Sequence, residues 1–243
     1  MQFRNSKPLV RSIGALALTL GLAAGAQASF INGSFEDPLG GGAESTSDWT
    51  TRDFVITGQA NVNGWLTTAA SGNIEIWRQP GPDATATPAY EGSRFAELNA
   101  DTIGALYQDV TGIAAGSIVG WELAHRGRSG TDTMSLKITD LGTDNALGGV
   151  GGAADTVLFS RTFSDGMGVW GFYQGTGIVA VGNTVRFEFG AVSTSSGNNT
   201  VGNFLDAVDF GVGVGQRVPE PASLLLAGAA LAAAGVATRR RAK

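Results

Sequence analysis

With 243 residues, a formal charge of −5 and no cysteine, the chain has no route to disulfides, thiolate metal sites or cysteine nucleophiles. Seven basic residues lie within the first 11 and last five positions; setting them aside leaves nine basic against 21 acidic residues, a formal −12 over residues 29–221. Such a body repels phosphate backbones, which excludes nucleic acid as a partner.

Residues 1–28 open with Arg4, Lys7 and Arg11, continue through the apolar run IGALALTLGLAAGA, and close on Ala26-Gln27-Ala28. This is the three-part plan of a secretory signal peptide, in which small residues at Ala26 and Ala28 suit the peptidase and cleavage falls before Ser29. The alternative is an uncleaved N-terminal anchor, against which the Ala-x-Ala motif argues.

Between the two hydrophobic ends, residues 29–217 are enough for one all-β domain with a sizeable core. Short runs rich in Val, Ile, Phe, Thr and Trp alternate with Gly/Asn/Asp/Ser clusters, a strand-and-turn composition. TDTMSLKITD sets Met134, Leu136 and Ile138 against Ser135, Lys137 and Thr139, and NTVRFEFGAV sets Val185, Phe187 and Phe189 against Arg186 and Glu188. Both read as half-buried antiparallel strands. DFVIT, GWLTT, NIEIWR, RFAELNA, ALYQDV, SIVGWELAHR, TVLFSRTF, GIVAV and NFLDAVDF are further strands, with turns at Asn63-Gly64, Ser71-Gly72 and Gly81-Pro82. Roughly ten short strands at this spacing predict an antiparallel β-sandwich or jelly roll.

The opening FINGSFEDP, the middle GSRFAELNADTIGALYQDV and the closing FLDAVDF resemble the galactose-binding-like jelly rolls of carbohydrate-binding modules and related bacterial surface domains. NIEIWR, FAELNA, LYQDV and WELAHRGRSGTDTMSLKITD also resemble an uncharacterised domain of secreted adhesin-like proteins. The resemblance implies a fold and a surface location rather than a particular ligand. It further implies a structural calcium ion at Glu36 and Asp206, the matching positions in such jelly rolls; a hard cation wants several oxygen ligands. Ala207 stands where many relatives place a second acidic or amide residue, and the alternative is a pair of hydrogen-bonded acids.

Polar residues embedded in strands make a second constellation. Alternation sets Glu75 beside Trp77, Glu97 beside Phe95 and Asn99, and His125 beside Trp121 and Leu123, with Arg126 and Arg128 following. Converging on one sheet face, these seven residues, Glu75, Trp77, Glu97, Asn99, His125, Arg126 and Arg128, would build a sugar-binding surface of aromatic planes and charged groups. The alternative is cross-strand Arg–Glu pairing and a satisfied core histidine. Among the tryptophans, Trp121 is expected to be buried, and Trp49 and Trp65, near polar turns, to be exposed.

No Gly-x-Ser-x-Gly, His-Glu-x-x-His or phosphate loop occurs, and there is one histidine, so the sequence supports no catalytic site beyond a two-carboxylate glycosidase drawn from Glu75, Glu97 and Glu122.

At the C-terminus, Val218-Pro219-Glu220-Pro221 precedes the apolar residues 222–238, followed by Arg239, Arg240 and Arg241. The order of Pro-Glu-Pro box, apolar helix and Arg cluster resembles the PEP-CTERM sorting signal. This implies recognition by an exosortase, cleavage near the box, and delivery to the cell surface or an exopolysaccharide matrix. About 17 apolar residues at 1.5 Å each span roughly 25 Å, near the lower limit for crossing a bilayer, and the arginines hold the end in the cytoplasm. The domain plan is therefore a signal peptide (1–28), an extracytoplasmic β-sandwich (29–217) and a sorting signal (218–243). The function expected is a non-catalytic surface or matrix protein whose partners are an exosortase, a surface glycan or exopolysaccharide, and the inner membrane. A lectin-like module is the alternative, and a polysaccharide-active glycosidase a third.

Overall fold

A computed structural model describes residues 30–37, 54–79, 87–142, 147 and 155–215. The residues read as a signal peptide, with Ala26, Ala28 and Ser29, the turn at Gly81-Pro82, Trp49 and the sorting signal lie outside the described residues. No helix among the described residues is long and apolar enough to cross a membrane.

Eleven strands are described: β1 (Phe54–Gly58), β2 (Leu66–Thr67), β3 (Asn73–Arg78), β4 (Arg94–Glu97), β5 (Ala105–Thr111), β6 (Ile118–Arg126), β7 (Asp132–Asp140), β8 (Thr156–Asp165), β9 (Gly171–Val179), β10 (Thr184–Ser193) and β11 (Phe204–Val212). They form two antiparallel sheets, ordered β1-β3-β4-β11-β6-β9 and β2-β5-β10-β7-β8. Successive strands from β5 onward cross repeatedly between the sheets, giving the expected jelly-roll sandwich.

The alternation in β7 and β10 places as anticipated: Met134, Leu136, Ile138, Val185, Phe187 and Phe189 are all fully buried. They join Ile74, Ile76, Ala96, Trp121, Leu123 and Leu205 in the core between the sheets, the side-chain period of two turning the intervening polar residues outward. Trp121 is 2% exposed as expected, but Trp65 is 1% exposed and corrects the reading from its polar turn. Its ring stacks on Phe35 at 4.8 Å and meets Phe30 edge-on at 5.3 Å, while its Nε1 donates to the Asn32 carbonyl at 2.9 Å. The segment around residues 30–36 thus plugs the core, and the burial of Trp65 depends on a segment some 30 residues earlier in the chain. Close approach is why Gly33 is glycine: a side chain there would collide with the Val208 carbonyl.

Several strand boundaries differ from the sequence reading: RFAELNA is strand only as far as Glu97 and GWLTT only at Leu66–Thr67. β9 ends at Val179, so GIVAV gives only its first three residues to a strand whose full run GFYQGTGIV carries three glycines that hide its periodicity. In β11 the pairing with β6 shifts between Asp206 and Asp209, and Ala207 adopts φ +47, so NFLDAVDF is a bulged rather than a regular strand.

Candidate functional site

The six-stranded sheet is covered on both faces. Ile74, Ile76 and Ala96 point into the main core, so their alternates Glu75, Trp77, Phe95 and Glu97 emerge on the opposite face. There Trp77, Phe95 and Phe204 form a second apolar cluster with Phe54, Ala89 and Trp170 packed against it.

Within this cluster Glu75 and Glu97 stand directly opposite one another in register. The Glu97 carboxylate takes both its oxygens to Arg128 Nη1 (3.0 and 2.9 Å) and accepts the indole N–H of Trp77 at 2.9 Å and the Gly202 amide at 2.7 Å. The Arg128 guanidinium lies 4.7 Å above the Trp77 ring. Burial raises the pKa of both acids, and at Glu97 Arg128 and the Gly202 amide offset part of the rise. Glu75 is pushed up to about 9, by burial first and then by the neighbouring Glu97 charge. The pair therefore shares one negative charge, held on Glu97, with the proton on Glu75. Glu75 Oε1 is buried without a hydrogen-bond partner.

The seven residues expected to converge on one face do not. His125 shares the core-facing side with Trp121 and Leu123 and is 0% exposed, because strand alternation separates it from Arg126. Its Nδ1 lies 2.7 Å from Asp165 Oδ2 and its Nε2 3.1 Å from Asn203 Oδ1. Asn203 in turn donates to Asn99 Oδ1 at 3.1 Å, and Tyr173 donates to Asp165 at 2.8 Å. Asn99 and His125 thus belong to a buried polar chain, whereas Glu75, Trp77, Glu97 and Arg128 form a packed cluster beneath the surface. Arg126, whose pKa burial lowers, is half-buried beside it, with its Nε buried and unpartnered.

What the same face does expose is a group of rings that the sequence reading missed. Tyr90 is 44% and Phe172 37% exposed; their rings stack at 5.6 Å and 5°. Trp170 meets Tyr90 at 6.3 Å and Phe95 at 5.5 Å, and its indole N–H donates to the Pro88 carbonyl at 2.8 Å. Phe172 lies opposite Ala124, two residues along β6 from Arg126. These rings sit in PAYEGS and GVWGFY, where Gly and Pro erase alternation; an aromatic between glycines was the available signal.

Glu36 and Asp206 come from opposite ends of the domain to one segment. Glu36 Oε1 accepts the Ser93 and Arg94 amides (2.6 and 2.7 Å) and Oε2 the Ser93 hydroxyl (3.0 Å). Asp206 Oδ2 accepts the Tyr90 and Glu91 amides (2.7 and 3.0 Å) and Oδ1 its neighbour Ala207's amide (2.7 Å). Burial nevertheless raises Asp206 to about 7.

Because Glu75 binds a proton more tightly folded than unfolded, its contribution to stability is complete below about pH 4.5 and is lost as pH rises through about 9. Glu75→Gln is expected to remove up to about 1.4 kcal/mol per pH unit of that decline. Urea unfolding between pH 5 and 9 checks it; parallel pH profiles for variant and parent would refute the protonated Glu75.

No curated protein matches the chain. Among solved structures, the sandwich is similar to the CBM22-1–GH10 modules of endo-1,4-β-D-xylanase 10B from Clostridium thermocellum complexed with xylohexaose, at 14% identity and TM-score 0.42 over 61% of this chain and 26% of that one. The chain therefore spans about a quarter of that protein's length. It is also similar to the CBM22-1 xylan-binding domain from Paenibacillus barcinonensis, at 10% identity and TM-score 0.43 over 65% of this chain and 92% of that one. A third is TmCBM61 in complex with β-1,4-galactotriose, at 12% identity and TM-score 0.36 over 75% and 97%. Residues 217–241 match the PEP-CTERM protein-sorting motif. The chain thus carries at its C-terminus a sorting signal that indicates export and sorting to the cell envelope.

Proposed function

We propose that this chain is a non-catalytic surface protein, held in the inner membrane by residues 222–238, processed by an exosortase near Pro219-Glu220-Pro221, and associated with exopolysaccharide through its sandwich. The exposed, stacked rings of Tyr90 and Phe172, with the half-buried Trp170 edge-on to Tyr90, carry the binding half of this reading. Flat rings beside a guanidinium offer a sugar both a face to stack on and a donor for its hydroxyls, and Arg126 is the guanidinium at hand. The lectin-like alternative uses the same rings with defined specificity. A glycosidase draws less support, because Glu75 and Glu97 are buried beneath the surface, out of reach of a polysaccharide.

Part of the proposal is a structural calcium ion between Glu36 and Asp206. Its support is the donor set: on each carboxylate one oxygen takes two donors and the other only one, leaving a lone pair on Asp206 Oδ1 and on Glu36 Oε2. Backbone carbonyls and water would supply the remaining ligands.

Four outcomes are expected. Tyr90→Ala weakens binding to the cognate polysaccharide about tenfold, or about 1.4 kcal/mol, at unchanged stability; Trp170→Ala weakens binding similarly but with a loss of stability, because its ring packs on Phe95. Trp77→Ala instead costs about 3–5 kcal/mol of stability. Affinity electrophoresis and urea unfolding separate the two, and full retention by the Trp170 variant would reject the platform. Intact mass of the surface form should lack residues 222–243; a species retaining them would reject processing. Calcium should raise the melting temperature over that in EDTA, with the difference abolished in Asp206→Asn; coincident melts of the parent would reject the ion.

A further inference from the structure

The described chain leaves the sandwich at Gly215, just past β11, at a pole built from turns 111–117 and 180–183. The turns are bonded together: the Gly116 amide donates to Ala180 at 2.8 Å, the Ala180 amide to Ser117 at 3.0 Å, and the Ile113 amide to Asn183 at 3.2 Å. No charged residue occurs between Asp109 and Glu122, between Asp165 and Arg186, or between Asp209 and Arg217. In a body of formal charge −12, this gathers uncharged chain at one end, beside which the β7–β8 edge, where Asp140 faces Thr156, brings the half-buried Asp155.

The pole is also apolar on its outside. Ile118, Val179, Val181 and Val212 are 46%, 51%, 57% and 36% exposed, and Ile118 stands directly opposite Val179. The carboxylate beneath them, Asp140, is 0% exposed. It accepts the amides of Val181 (3.0 Å) and Gly182 (2.6 Å), bracing the turn that presents Val181 without adding surface charge.

Six residues separate Gly215 from Ala222, a tether of at most about 20 Å fully extended. With residues 222–238 in a bilayer, the end of the sandwich nearest the lipid is this one. We infer that this apolar pole is a lipid-contacting surface that seats the sandwich on the bilayer while the sorting segment is inserted; the inference rests on the membrane anchoring proposed above. Aliphatic side chains gain by entering the boundary between headgroups and acyl chains, and this orientation turns the acidic body away from anionic headgroups. The opposite pole, with the β6–β7 turn, then faces outward.

The absence of cysteine allows a single reporter thiol. Full-length chain carrying Val181→Cys, Ser129→Cys or Leu231→Cys is labelled with a fluorophore and reconstituted in phosphatidylethanolamine–phosphatidylglycerol vesicles containing chain-nitroxide lipid. The Leu231 position should be quenched, and the Val181 position several-fold more than Ser129. Adding Val179→Ser and Val212→Ser should reduce quenching at Val181 while circular dichroism stays unchanged. Quenching at Leu231 with Val181 no more quenched than Ser129 overturns the inference and leaves the anchor standing. Quenching at Val181 without Leu231 keeps the lipid contact and removes the anchor; neither quenched removes both. A Val181 label shielded by a second copy, seen as label-to-label energy transfer without lipid quenching, also overturns it.

Discussion

Carboxylates accepting backbone N–H groups hold the loops of this sandwich in place. Asp132 takes the amides of Arg128, Ser195 and Asn203, and Asp140 those of Gly142, Val181 and Gly182. Asp206 holds Tyr90 and Glu91, Glu36 holds Ser93 and Arg94, and Glu97 holds Gly202. A bond to a carboxylate is charge-assisted, stronger than a neutral one, and loss of one of these acceptors would leave between one and three amides unsatisfied at once. In a chain without cysteine, these contacts perform the loop-closing that disulfides supply in many exported domains.

The same device sets what the surface offers. Asp206 fixes the backbone of Tyr90, so the Tyr90 ring meets Phe172 in a defined stack. Asp140 fixes the turn that exposes Val181 at the other end of β11. Buried anions thus support the aromatic face and the apolar pole, while neither presents those charges to a partner. The acidity of the body reflects loops being tied as well as solubility.

Covering the second face of the six-stranded sheet has a cost visible at Glu75. Trp77, Phe95 and Phe204 desolvate the row in which Glu75 faces Glu97, and one Arg128 neutralises only one of the two acids. The remaining carboxyl stays protonated rather than bear an unpaired charge in an apolar setting. A pair that reads in sequence as acid and base is, in the fold, one ion-paired carboxylate and one neutral acid.

The sequence by itself determined the features carried by contiguous residues: the sorting signal in Pro219-Glu220-Pro221 and its flanks, and the strands whose alternation is unbroken, such as β7 and β10. Side-chain periodicity is local, so Met134 or Phe187 needs no distant partner to declare its face. Only the tertiary structure decided that Trp65 is covered by Phe30 and Phe35, that Glu75 and Trp77 lie beneath a second cluster, and that His125 turns away from Arg126 into a polar chain with Asp165 and Asn203. In each case burial depends on which strand or segment arrives from far along the chain, and alternation tells that two faces exist without telling what covers either. The rings of Tyr90, Trp170 and Phe172 escaped for the complementary reason: glycine and proline leave no period to read, and only the pairing of β6 with β9 and the Asp206 contacts bring the three together.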